Sequence, residues 1–133
     1  MCDKELGKIV LHTELRSSKN SRQFVRLKTG RTVLLKSKYA AQQDKLFASE
    51  LEKNYFKWAQ MTKNVKSFPL KVGFYVYRAT HRRWDWMNIL QGLADAMVRA
   101  GYLEDDSAKF FTPVFLGFDV DKDDPRVEIS IVS

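Results

Sequence analysis

The chain has 133 residues, of which 44% are hydrophobic, so the sequence predicts one globular domain over residues 1–133 and excludes a disordered protein. No stretch approaches the ~20 apolar residues of a membrane span, and no signal-peptide pattern is present. The single cysteine, Cys2, excludes an internal disulfide and a cysteine zinc site. A net charge of +7 points to an anionic partner, and we expect a cytoplasmic protein without a membrane partner.

The charge is distributed unevenly along the chain. Residues 1–83 carry 19 Lys/Arg and 6 Asp/Glu, whereas residues 84–133 carry 4 and 10. From Arg16 to Lys38 there are eight basic residues and no acidic one. Such a segment attracts a polyanion, because each neutralised phosphate releases counterions; a solvated basic loop is the alternative. The interleaved stretches "QFV" (23–25) and "VLL" (33–35) indicate folded structure and favour polyanion binding.

The first elements in chain order are predicted to be strands. Residues 7–15 alternate between apolar and polar side chains, which is typical of a strand. The polar residues 16–23 indicate a loop. Residues 23–36 read as two short strands with Thr29 and Gly30 at the turn, which predicts a hairpin.

A long helix is predicted next. Ser37 suits the N-cap position, and residues 38–61 are rich in helix-forming residues. Their large apolar side chains recur at spacings of four, four and three, which places them on one helix face. These residues are Phe47, Leu51, Tyr55 and Trp58.

A core strand and a second helix follow. Residues 67–80 are aromatic and β-branched, with apolar residues alternating from Leu70 to Val76. An amphipathic helix begins after Asp85, and Gly101 suits its C-terminal end. The apolar stripe of this helix consists of Trp86, Ile89, Leu90, Leu93 and Met97.

The last elements are two strands, over residues 108–120 and 126–133, joined by a turn at 121–125. The predicted order is therefore β-ββ-α-β-α-β-β. The sequence predicts an α+β (mixed α/β) fold, a single small domain in which two main helices accompany a mixed sheet.

Asp85 admits two interpretations. Its position before the helix is typical of an N-cap, whose carboxylate accepts a backbone N–H. Alternatively, it belongs to an acidic metal site with Asp105 and Asp106, provided that the chain doubles back to bring them together. Carboxylates suit Mg²⁺, and such a site beside a basic surface is the minimum for metal-assisted phosphodiester cleavage.

Two further side-chain sets have a structural and a functional interpretation. Asn88, Gln91 and Asp95 share one side of the helix, which is either a solvated polar face or part of a site. Aromatic residues make up 13% of the chain, including Trp58, Trp84 and Trp86, and a Trp or Tyr near a basic patch could stack on a nucleic-acid base. Core packing is the alternative for these aromatic side chains.

Along most of its length the sequence resembles the RusA-type Holliday junction resolvases, small phage-derived endonucleases. "SSKNSR" (17–22) lies where that family has a Pro-Ser-Asn-rich loop, and "LLKSKYAAQQDKLFASEL" (34–51) is similar to its strand-to-helix passage. The most specific match lies at 85–106. Asp85 and Asn88 match the family's first Asp and its Asn, "DAM" (95–97) matches a helical Asp step, and "AGYLEDD" (100–106) matches a glycine turn and acid pair.

Two positions depart from the family pattern. Met87 stands where the family has a second metal-binding Asp, and Gln91 stands where it has a catalytic lysine. A thioether is a poor ligand for a hard cation. Either another group, such as Asn88 or Glu104, completes the site, or the protein binds DNA without cutting it.

The resemblance implies a homodimeric enzyme of prophage origin that resolves four-way DNA junctions with Mg²⁺ or Mn²⁺ in recombination and repair. It assigns the metal to Asp85, Asp105 and Asp106, with Asn88 as a fourth catalytic residue. The alternative is a catalytically inactive module of the same fold that binds junctions or other nucleic acid. The basic side chains expected to hold the DNA backbone are Arg16, Lys19, Arg22, Arg26, Lys28, Arg31, Lys36, Lys38, Arg82 and Arg83.

Overall fold

A computed structural model describes residues 7–14, 22–36, 38–63, 65 and 68–132 of the chain. The predicted N-cap Ser37 and most of the predicted loop at 16–23 lie outside the described residues. The order of elements and the α+β class are as predicted. The elements are β1 (Lys8–Leu11), β2 (Arg22–Arg26), β3 (Thr32–Lys36), α1 (Lys38–Thr62), β4 (Leu70–Arg78), α2 (Trp86–Arg99), β5 (Phe111–Val120) and β6 (Arg126–Ile131).

Strand β1 is shorter than the prediction of 7–15. It ends at Leu11, whose carbonyl accepts the backbone N–H of Thr13 at 2.9 Å in a tight turn. The backbone N–H of His12, which lies between these two residues, donates to the Glu50 carboxylate on α1 at 2.8 Å. The backbone here bonds to a turn and to a helix side chain, which ends the strand ladder.

The hairpin is confirmed. β2 and β3 pair antiparallel from Arg22 opposite Lys36 to Arg26 opposite Thr32. Leu27 N–H donates to the Arg31 carbonyl at 2.8 Å, and Gly30 has a φ of 84°, a conformation that glycine adopts without the strain of a side chain.

The remaining four strands form one mixed sheet in the order β1-β6-β4-β5. β6 is antiparallel to both β1 and β4, whereas β4 and β5 are parallel. A parallel pair requires a connection that returns to the starting end of the first strand. Helix α2 makes this return, so it runs antiparallel to β4 and β5.

The core lies between the helices and one face of this sheet. The predicted alternation in β4 is confirmed, because Leu70, Val72, Phe74 and Val76 are at most 6% exposed. Helix α1 contributes Leu51 and Trp58 from the predicted apolar face; its Tyr55 lies at the rim and is 46% exposed. From the other elements the core receives Ile9, Leu11, Ile89, Leu93, Ala94, Met97, Leu103, Phe111, Val127 and Ile129.

Tyr102 joins α1 to the end of α2. Its ring stacks on Trp58 with centroids 5.1 Å apart, and its carbonyl accepts the Trp58 indole N–H at 3.0 Å. Its hydroxyl donates to the Leu51 carbonyl, and burial raises the pKa of this hydroxyl above its usual range, with a further contribution from Tyr55. The segment after α2 is thereby held beneath α1.

The predicted turn at 121–125 is organised by Asp121. Its carboxylate accepts the backbone N–H groups of Asp123 and Asp124, both at 3.2 Å, and an Arg126 guanidinium N–H at 2.7 Å. The Arg126 hydrogen bond lowers the pKa of Asp121. The guanidinium also lies over the Tyr77 ring, 3.7 Å from its centroid, which ties the turn to β4.

Among the described residues, neither helix combines the length and the apolar character that a membrane span requires.

Candidate functional site

Asp85 caps helix α2, as one of the two interpretations predicted. One carboxylate oxygen accepts the Met87 backbone N–H at 3.0 Å, and the other accepts the Asn88 side-chain amide at 3.3 Å. The residue itself is extended, with φ −117° and ψ 108°, which is typical of an N-cap. Each carboxylate oxygen retains a second lone pair, so these bonds leave the exposed carboxylate able to bind a cation.

The loop before Asp85 is basic. Arg82 and Arg83 are exposed, and neither forms an ion pair with a described residue. The Arg82 carbonyl accepts a guanidinium N–H of Arg78, the last residue of β4. That guanidinium also lies over the Trp84 ring, 5.1 Å from its centroid. The loop is therefore anchored to the end of β4 and carries two exposed cations shortly before Asp85 in the chain.

Asp105 and Asp106 form a second acidic group. A carboxylate oxygen of Asp105 accepts the backbone N–H of Asp106 at 2.9 Å, and both side chains are exposed. The following turn, in which the Ser107 carbonyl accepts the N–H groups of Phe110 and Phe111 at 3.0 Å, leads directly into β5.

The two acidic groups do not meet within one chain. Asp85 precedes α2, and Asp105 and Asp106 follow it; the 14 residues of the helix span about 21 Å at 1.5 Å per residue. The topology leads to the same conclusion. Asp85 follows the carboxyl end of β4, whereas Asp105 and Asp106 precede Phe111, which pairs with Leu70 at the amino end of β4. Among the described residues, no three His, Cys, Asp or Glu side chains form a cluster that could hold a metal ion. Asp85 and the acidic pair thus lie at opposite ends of α2, and the acidic metal site stays a prediction.

The end of α2 explains this separation. The N–H of Gly101, which has a φ of 83°, donates to the Val98 carbonyl at 3.1 Å, and the N–H of Tyr102 donates to the Met97 carbonyl at 2.9 Å. This pair of bonds is the Schellman arrangement that ends helices at a glycine. It confirms the predicted helix end, after which the chain continues to β5.

The two positions that depart from the family pattern are on the surface. Met87 is 68% exposed in the first turn of α2, and Gln91 is exposed one turn later. Asp95 is also exposed, and Asn88 is half-buried. This side of α2 is a polar face open to solvent, and Met87 is not a core residue.

The predicted DNA-binding residues are only partly described. Arg26, Lys28 and Arg31 are exposed around the hairpin turn. For three others, in β2, β3 and α1, the structure describes only the backbone: Arg22, Lys36 and Lys38. Arg16 and Lys19 lie outside the described residues.

An aromatic cluster adjoins Asp85. The Trp84 ring lies 5.3 Å from Phe118 and 6.1 Å from Phe115, and the Trp86 ring lies 4.9 Å from Phe115, measured between centroids. Phe115 and Phe118 remain 41% and 53% exposed. The sequence indicated tryptophans and tyrosines in general as candidates for stacking, but not the phenylalanines of β5. What marks these phenylalanines is their place on an apolar edge strand. Whether a strand lies at an edge depends on the order of strands in the sheet.

Comparison with known proteins gives one clear result. No curated protein matches the chain significantly. The model of the family described as Endodeoxyribonuclease RusA matches residues 16–132, which include both acidic groups, the hairpin and both helices. The chain therefore belongs to the RusA endodeoxyribonuclease family.

Proposed function

We propose that this protein is a structure-selective endonuclease that cuts four-way DNA junctions and depends on Mg²⁺ or Mn²⁺. The observation that supports this most directly is the family match over residues 16–132. It is joined by an exposed carboxylate, Asp85, held in place on a helix N-terminus beside the exposed cations of Arg82 and Arg83.

In this proposal the basic residues hold DNA and the acidic residues form the reactive site. Arg82 and Arg83, with the hairpin cations Arg26, Lys28 and Arg31, contact phosphates and orient the backbone without reading sequence. Asn88 bonds to the Asp85 carboxylate and fixes its orientation. A divalent cation, when bound, would polarise the scissile phosphate and help to generate the attacking hydroxide.

The carboxylates fit a hard cation in chemistry, because Mg²⁺ prefers oxygen ligands and keeps several waters. They fit in geometry only if two chains contribute, since about 21 Å of helix separates Asp85 from Asp105 and Asp106 within one chain. We therefore place Asp85 of one protomer beside Asp105 and Asp106 of the other in a homodimer. Each dimer then holds two equivalent sites.

Cleavage of a synthetic four-way junction with Mg²⁺ or Mn²⁺ tests the activity. We expect the wild-type chain to cut the junction and not its duplex arms, and Asp85→Asn to bind the junction without cutting it. Wild-type protein that binds the junction but never cuts it, at any metal concentration, would remove the endonuclease proposal.

Mixing two inactive variants tests whether the site is shared. In a heterodimer of Asp85→Asn and Asp106→Asn, a site built across protomers is restored once, because one site receives both wild-type residues. A site built within one chain is restored nowhere. We expect the mixture to regain cleavage and to bind about one Mn²⁺ per heterodimer by electron paramagnetic resonance, whereas each variant alone binds none at the same concentration. A mixture as inactive and metal-free as its components would contradict the shared site.

A second function is favoured by one observation, the replacement of two family residues by Met87 and Gln91. A junction-binding protein without nuclease activity would keep the cations and lose the metal site. Its affinity should fall steeply with salt, because phosphate contacts release counterions. Junction binding that is salt-dependent in a protein that retains no Mn²⁺ would favour this function over the first.

A further inference from the structure

The basic loop, residues 79–84, is held in its conformation by side chains. Within the part of the chain that the structure describes, no backbone group of this loop bonds to another backbone group. The Arg82 N–H donates to the Thr80 hydroxyl at 3.4 Å, and the Arg82 carbonyl accepts a guanidinium N–H of Arg78. A loop without backbone hydrogen bonds is only as ordered as its side-chain contacts make it.

Arg78 contacts the basic loop at two points. Besides its bond to the Arg82 carbonyl, its guanidinium lies over the Trp84 ring, with Cζ 5.1 Å from the centroid. One guanidinium can do both, because its N–H groups point outward in its plane while its face stacks on a ring. The Trp84 ring packs edge-on against that of Trp86, the first residue of α2, with centroids 6.2 Å apart. Arg83 therefore lies between two residues that Arg78 holds.

The residue that orders the loop differs from the residues that reach solvent. Arg78 is half-buried, and its backbone is fixed at the end of β4, where its carbonyl accepts the Asp121 N–H at 2.8 Å. Arg82 and Arg83 are exposed. A guanidinium that bonds to a carbonyl and stacks on a ring has fewer groups left for a phosphate. Arg78 thus suits a supporting role and the two loop arginines suit a binding role.

Helix α2 fixes Asp85 independently of Arg78. The Asp85 carboxylate bonds to the Met87 N–H and the Asn88 amide, and Ile89 in the same helical turn is buried in the core. Removing the Arg78 contacts would therefore leave Asp85 in place and release the two cations that precede it. The effect falls on the binding of an anion by the loop and not on the carboxylate.

We propose that Arg78 is a positioning residue for DNA binding, which holds Arg82 and Arg83 in the orientation that phosphates require without contacting DNA itself. This inference rests on the proposed function, in which the two loop arginines contact phosphates. A flexible loop has to be ordered when it binds, and this ordering costs free energy. A loop that is ordered beforehand avoids the cost, so Arg78 raises the affinity through preorganisation.

Junction binding in EDTA, without metal, tests the role of Arg78. Arg78→Lys keeps the charge and removes the planar group that bonds and stacks at once. We expect about tenfold weaker binding, because two loop arginines must then be ordered on DNA. The matched control is Arg126→Lys: this guanidinium also bonds to a carbonyl, that of Asp124 at 2.9 Å, and lies over the Tyr77 ring, but it holds the turn at 121–125. It should leave the junction affinity unchanged.

A double-mutant cycle shows whether Arg78 acts through the loop. In a parent that carries Arg82→Gln and Arg83→Gln, Arg78→Lys should weaken binding no further, because the side chains that Arg78 positions are gone. An equal loss of affinity in both backgrounds would mean that Arg78 contacts DNA directly and would overturn the proposal. An equal loss in Arg126→Lys would also overturn it, because the cause would then be general destabilisation.

Relaxation of ¹⁵N in the protein without DNA provides a measurement that does not depend on binding. In Arg78→Lys the backbone order parameters of Arg82 and Arg83 should fall below about 0.6, the range of flexible segments. That of Met87, whose N–H bonds to Asp85, should not change. Unchanged order parameters in the loop would contradict preorganisation. Because none of these measurements needs metal or cleavage, a protein that binds junctions in this way but never cuts them would fail the proposed function and not this inference.

Discussion

Replacing Asp85 by alanine and by asparagine separates its structural role from its proposed chemical role. The carboxylate accepts the Met87 N–H at 3.0 Å and the Asn88 amide at 3.3 Å at the N-terminus of α2. Alanine removes both bonds, and loss of a helix N-cap costs about 1 kcal/mol. For a chain of this size that corresponds to a decrease in Tm of roughly 3–5 °C. Asparagine is as good an N-cap as aspartate, so Asp85→Asn should stay within about 0.5 kcal/mol of the wild type.

The two variants should nevertheless agree in their chemistry. Neither places a carboxylate at the helix N-terminus, so both should lose Mn²⁺ binding and junction cleavage. Thermal unfolding measures the difference in stability between the variants, and metal titration with a cleavage assay measures their loss of Mn²⁺ binding and cleavage. If Asp85→Asn loses as much stability as Asp85→Ala, the charge rather than the cap bond stabilises α2, and the reasoning from the hydrogen bonds is refuted.

Three other predictions concern separate parts of the chain. The double variant Met87→Asp with Gln91→Lys should fold normally, because both positions are exposed. It should cut junctions at least about tenfold faster than the parent. An unchanged cleavage rate in folded, junction-binding protein would contradict the interpretation of a degraded metal site. The hydrogen bond from Arg126 lowers the pKa of Asp121, so the contribution of this carboxylate to stability is complete above pH 3.8 and is lost as the pH falls further. In a series of denaturant titrations, the stability of Asp121→Asn should therefore depend less on pH below that value. Trp58→Phe removes the buried 3.0 Å indole hydrogen bond and part of the ring volume, and should lower the free energy of unfolding by about 1–3 kcal/mol, whereas no loss would show that the bond contributes nothing.

The family match bears on the fold of this chain, whereas the substitutions at positions 87 and 91 bear on its activity. The match covers the hairpin, both helices and the strands β4, β5 and β6, and membership is a property of that whole pattern. The substitutions affect two exposed side chains of one helix, which the fold tolerates without a packing cost. Family membership and nuclease activity are therefore separable, and the gain-of-function variant measures the second directly.

The sequence by itself determined the features that depend on neighbouring residues. Asp85 at the start of α2 and Gly101 at its end were predictable, because a cap and a left-handed glycine act within one helical turn. The hairpin turn at Gly30 and the alternation of β4 followed for the same reason, since turn geometry and side-chain alternation repeat over a few residues. The shortened β1 was not predictable, because its end depends on Glu50, which is distant in the chain.

Only the tertiary structure decided how these elements are arranged. An alternating pattern shows which face of a strand is buried but not which strand lies beside it. The order β1-β6-β4-β5 makes β5 an edge strand and exposes Phe118. The parallel pairing of β4 and β5 requires α2 to return along the sheet, and this return places Asp85 and Asp106 at opposite ends of the helix. In sequence the two residues look like parts of one site, but within a single chain the whole of α2, about 21 Å long, lies between them.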